Sequence, residues 1–223
     1  MQGGVCGIVD GTFDVVGPYT ETETEREHEL SRSVQVDRVF SLPSGKPGFE
    51  GHAAAERLVT RSDTEIRDGE IRVTESTVKE TVRTAFAGVP GEVVVAESGG
   101  GEFAFDLIGA ETDTAIERGA FDLSGFLDAH RSGSPWKAGF YDADGHAQKG
   151  TVYGDDLLRD DAFEPVLDTA SLNQLGIDYE YRGRTVKVDL TESGFVTVHR
   201  PSGMDTAAFL EFLIADVLPH STG

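Results

Sequence analysis

Over residues 176–200, GIDYEYRGRTVKVDLTESGFVTVHR, apolar and polar positions alternate with a period of two. A two-residue turn at Arg182-Gly183 sets Tyr179 opposite Val186 and Ile177 opposite Val188. A three-residue turn at Glu192-Ser193-Gly194, with Gly194 left-handed, sets Leu190 opposite Val196 and Val188 opposite Val198. The apolar residues then share one face. Asp178, Glu180, Lys187, Asp189 and Thr197 share the other. A slip of one residue inverts that sorting, so the pattern predicts a three-stranded antiparallel meander with one wet face.

Similar signals recur upstream. Asp68-Gly69 closes a hairpin that pairs Ile66 with Ile71. Residues 92–108 read as strand, glycine turn and strand, and so do residues 137–154. The stretch TETETEREHE, 20–29, has no apolar face and reads as a solvated linker or hairpin arm. Helices are predicted over 77–86, 122–130, 155–167 (cut by Pro165) and 205–218. In the last, Phe209, Phe212, Leu213 and Val217 form one stripe, and only Glu211, Ala215 and Asp216 mark a polar side. The expected fold is α+β: an antiparallel sheet built from hairpins and the C-terminal three-stranded meander, with helices packed on one face. RSGSP, 131–135, divides an N-terminal α+β lobe (1–131) from a C-terminal α+β lobe (132–223); the alternative is one continuous domain.

Charge changes the picture more than any motif. Forty acidic residues face nineteen basic ones, for a net charge of −21, and only five of the basic residues are lysine (46, 79, 137, 149 and 187). Such a surface repels itself at low salt and is screened at molar salt. Acidic excess with scarce lysine points to a protein adapted to high salt, as in a salt-accumulating archaeon, with K⁺ or another salt required for stability. The same charge disfavours nucleic acid as a partner, since phosphate contacts need basic side chains. No run of apolar residues is long enough to span a membrane, and the first residues lack the pattern of a secretory leader. A single cysteine excludes an intrachain disulfide. The expected location is cytoplasmic.

The candidate chemistry is sparse. Cys6 lies in CGIV, which resembles the start of class II glutamine amidotransferases; that resemblance implies a cysteine nucleophile freed by removal of residues 1–5. Val5, Cys6, Ile8 and Val9 instead read as a short buried strand with Cys6 as a core residue. DADGH, 142–146, places Asp142 and Asp144 at a turn, and Asp155 and Asp156 follow. These four acids are the candidate ligands of a hard cation, against a reading in which they form turns and helix caps. Trp136, the one tryptophan, is the candidate ligand or partner contact, against a core role. SGKPG at 44–48 lacks the glycine and hydroxyl of a phosphate loop. The six histidines show no metal-ligand spacing. No cofactor site is evident. The favoured function is binding, scaffolding or regulation, through a protein partner or self-association. The alternatives are a metal-dependent hydrolase using the acidic edge at 142–161 and a cysteine amidase using Cys6.

Overall fold

The structure, a computed structural model, describes residues 1–14, 16–143 and 148–222. The chain opens with β1 (Gly3–Asp10) and then runs through antiparallel hairpins: β2 (Tyr19–Glu25), β3 (His28–Ser41), β4 (Pro47–Arg67) and β5 (Glu70–Val89). The short β6 (Val93–Ala96) returns it to β1. Helix α1 (Phe103–Thr112) precedes β7 (Ala115–Arg118), and α2 (Leu123–Ala129) precedes β8 (Ser134–Tyr141) and β9 (Gly150–Tyr153). Then come α3 (Glu164–Thr169), β10 (Ser171–Tyr181), β11 (Arg184–Thr191), β12 (Phe195–Arg200) and α4 (Thr206–Phe212), which continues as a π turn over Leu213–Val217. The strands form one sheet in the order β2-β3-β4-β5-β6-β1-β12-β11-β10-β8-β9, with β7 also beside β1. The 131/132 boundary falls between α2 and β8, and β1 hydrogen-bonds into the strands on either side of it.

Because neighbouring residues of a strand point to opposite faces, β1 and β6 separate two cores. Val5, Val94 and Ala96 pack with α1 through Phe105, Leu107 and Ile108. Cys6, Val93 and Val95 belong to the opposite core, which α2 and α4 cover with Phe126, Phe209 and Phe212.

The expected α+β class with helices on one face is therefore corrected. The protein is mostly antiparallel sheet, its helices are few and short, and they lie on both faces. Two segments account for most of the difference. Residues 77–86, read as a helix, lie within β5 and pair with β4 along their length. Half of that segment is β-branched (Thr77, Val78, Thr81, Val82, Thr84), which favours a pleated strand over a helix. Residues 103–108, read as a strand, begin α1, where Ala104, Phe105, Leu107 and Ile108 bury one stripe. The acidic stretch 20–29 is an edge hairpin, with β2 paired to β3 across Arg26 and Glu27, both at positive φ. Residues 155–167 form a single 3-10 turn and the start of α3.

The meander has the predicted register. Tyr179 faces Val186, Ile177 faces Val188, Leu190 faces Val196 and Val188 faces Val198. Ile66 also faces Ile71.

Candidate functional site

Cys6 is fully buried, and burial pushes its thiol up to about 12. A thiolate nucleophile needs the opposite, an accessible site that favours the anion. Asp142 is exposed at a turn with φ 56°, and Asp144 lies outside the described residues. Asp156 caps the 3-10 turn by accepting from the Leu158 amide at 3.3 Å, and it pairs with Arg159 at 3.0 Å. Asp155 is exposed. Among the described residues, no three His, Cys, Asp or Glu side chains form a metal-binding group. Trp136 is half-buried and lies flat over Gly176, where an added Cβ would come within 2.5 Å of the indole. Lys187 Nζ sits 4.3 Å from the Trp136 ring centroid, a cation–π contact. The Trp136 Nε1 is buried with no hydrogen-bond partner among the described residues.

A large concave site was not foreseen, and its origin is topological. β6 is four residues long and is held between β5 and β1. One further contact, from the Glu97 amide to the Ala85 carbonyl, follows before the chain leaves the sheet. Beyond it, β5 and β1 share no neighbouring strand. A cavity of about 750 Å³ opens there, lined by Gln2, Gly3, His52, Ala85, Thr197 and His199 among others. Two smaller recesses adjoin it: one of about 280 Å³ beside Gln35 and Asp37, and one of about 160 Å³ beside Arg83 and Thr84. His52 lines all three.

The chemistry at this hub is a carboxylate–imidazole pair. His52 on β4 pairs with Gln35 on β3, and Asp37, at the register shift between Val36 and Arg38, lies with its Oδ2 2.5 Å from Nδ1 of His52. A carboxylate on Nδ1 orients the ring, so that Nε2 accepts when the ring is neutral and donates when it is charged. Among the described residues no hydroxyl or thiol is hydrogen-bonded to His52. His199 extends the site toward Trp136, with ring centroids 6.0 Å apart. In the sequence these residues are scattered over β3, β4, β5 and β12. The spacing of Asp37 and His52 becomes meaningful only once the β3–β4 register is known.

A second ionisable cluster sits under α2. His130 Nδ1 lies 2.8 Å from the Phe126 carbonyl, and Nε2 lies 3.3 Å from Asp216 Oδ2. Both partners are acceptors, so the ring satisfies both only as the cation. Burial opposes the His130 charge, but the contacts with Asp216 and the Phe126 carbonyl outweigh it and raise the pKa. Burial also works against the Asp216 carboxylate, but hydrogen bonds from His130 and Tyr179 hold it below its usual range. The His130 contribution to stability is complete below its ordinary value of 6.5 and is lost as pH rises through the higher folded value. The Asp216 contribution is complete above its ordinary 3.8 and is lost as pH falls through the lower folded value. At fixed high salt the melting temperature is therefore expected to fall as pH rises above the ordinary 6.5 and through the raised folded value of His130. His130→Asn should flatten that fall. An unchanged slope in the variant, read by differential scanning fluorimetry, would remove the pair from the account.

No family model matches the chain, and no curated protein matches it.

Proposed function

We propose that this chain is a binding protein of a high-salt cytoplasm, and that it takes an extended segment of a protein partner into the groove centred on His52. The observation that supports this reading is the edge of β5. β5 pairs with β4 along its whole length, but with β6 only over Phe86–Val89. From Glu70 to Thr84 its outer edge has no strand partner among the described residues. An extended peptide beside β5 would gain main-chain hydrogen bonds from that edge. The groove beside it offers side-chain recognition through Asp37, His52, Arg83 and Glu97. Small residues, Gly3 and Ala85, leave room at its base. The net charge of −21 argues against nucleic acid as the partner. No helix among the described residues is long and apolar enough to cross a membrane.

Panning a random twelve-residue peptide display library against the chain in 3 M KCl tests the reading. Recovered peptides are expected to lose at least tenfold in affinity against His52→Ala and against Ala85→Trp, which fills the groove. They should bind Val39→Asp, a change on exposed β3 surface, as they bind the native chain. Peptides whose binding ignores both groove variants, or a library yielding no binders, would overturn it.

A further inference from the structure

β4 and β5 run far beyond the rest of the sheet. The pairing of β3 with β4 ends at Arg32 and Ala55, yet β4 and β5 stay paired out to Arg67 and Glu70. Residues 57–67 and 70–80 thus form a two-stranded arm about 35 Å long at ordinary strand rise. Every residue from 60 to 77 is exposed. A lone two-stranded ribbon is marginal in water and needs packing on one face.

The arm has a face suited to packing. Directly opposed residues point the same way, so Ile66, Ile71, Thr64 and Val73 share one face at the tip. Ile66, Ile71 and Val73 are 77%, 72% and 63% exposed, and they are three of the five exposed large apolar side chains among the described residues. Between 60–66 and 71–77, Glu75 is the one charged residue on that face. The opposite face carries Arg61, Asp63, Glu65, Arg67, Glu70 and Arg72, three charges of each sign. Residues 57–80 hold five basic and six acidic side chains, a net of −1 in a chain of −21.

We infer that the apolar face of the arm is a self-association surface, and that its occupant is the arm of a second copy. Charge selects this partner. Two copies that meet body to body bring nearly the whole −21 of each together. Copies that meet arm to arm join near-neutral segments and leave the acidic bodies in solvent, so no excess of like charge is buried in the contact even where salt screens the long-range repulsion. A face with a single charge, Glu75, and its apolar end at the tip excludes water best against another such face, and a two-fold axis supplies it from the same sequence. A ribbon about 35 Å long and 10 Å wide covers about 350 Å² per copy, below a standard stable interface. The association is therefore reversible and weak.

Sedimentation velocity of the full chain in 3 M KCl, from about 10 µM to 1 mM, reads it directly. The native chain should shift from monomer toward dimer across that range. Ile66→Asp combined with Ile71→Asp should weaken dimerisation at least tenfold, with circular dichroism unchanged because both side chains are exposed. Val39→Asp, which changes an apolar residue 59% exposed on β3, should dimerise like the native chain. A native chain that stays monomeric at 1 mM, a double variant that dimerises equally, or loss of the dimer in Val39→Asp would each overturn the inference.

Discussion

Val188→Asp is expected to abolish the cooperative fold. Val188 has no exposed surface, and it lies between Ile177 on β10 and Val198 on β12 in the core that α2 and α4 cover. Removing a buried valine forfeits about 1.5–3 kcal/mol of apolar burial. The carboxylate adds a larger cost, because none of Ile177, Leu190, Val196 and Val198 can pair with it. The sum is comparable to the total stability of a domain, about 5–15 kcal/mol. In 3 M KCl the variant should lose its melting transition by circular dichroism. Val188→Ala, which only leaves a cavity, should fold with a loss of about 2 kcal/mol. A Val188→Asp variant that melts like the native chain would mean that the meander is built in another register.

The second large effect is that of salt. Removing KCl is expected to lower the melting temperature by more than 10 °C between 2 M and 0.1 M, equivalent to several kcal/mol for a chain of this length. Strand geometry supplies the reason. Glu21, Glu23 and Glu25 alternate along β2 and point to one face about 6.7 Å apart. Arg32 relieves Glu21 at 3.1 Å and Arg26 lies 3.9 Å from Glu25, while Glu23 lies opposite Leu30 with no cation across from it. Their spacing lies inside the Debye length of about 10 Å at 0.1 M and outside that of about 3 Å at 1 M. Repulsion in this ladder is thus felt at ordinary ionic strength and screened at molar salt. An equal osmolality of a neutral osmolyte such as glycine betaine should restore much less of the transition temperature than KCl. A melting temperature independent of KCl would sink the high-salt reading.

The limits of the sequence follow from the range of the forces involved. Alternation and turn chemistry act over a few residues, so the meander was legible to the residue pair: Gly194 in its turn, Val188 at its centre. The Asp68-Gly69 hairpin was legible for the same reason. The apolar run around Cys6 was also present in the sequence, and the thiol sits in a strand buried on both faces. Residues 77–86 carried two periodicities at once. Val78 and Val82 fit a helical stripe, while Val78, Val82, Thr84 and Phe86 fit a strand face. Pairing with β4 over the whole segment decided between them, and that pairing is a long-range fact.

Short-range pattern and composition sufficed for the Asp68-Gly69 hairpin, the turns and apolar face of the meander, the strong charge excess and the scarcity of sequence-local metal and phosphate motifs. The assembly of the strands decided that a four-residue strand would stop short between β5 and β1 and open a groove there. It also decided that Asp37 would meet His52 across a strand pair, and that β4 and β5 would outrun β3 and leave Ile66, Ile71 and Val73 in water. The physical reason is the same in each case. A groove, a cross-strand pair and an unpartnered arm are properties of where strands end relative to one another, and that depends on which strands pair, over distances that no local pattern records.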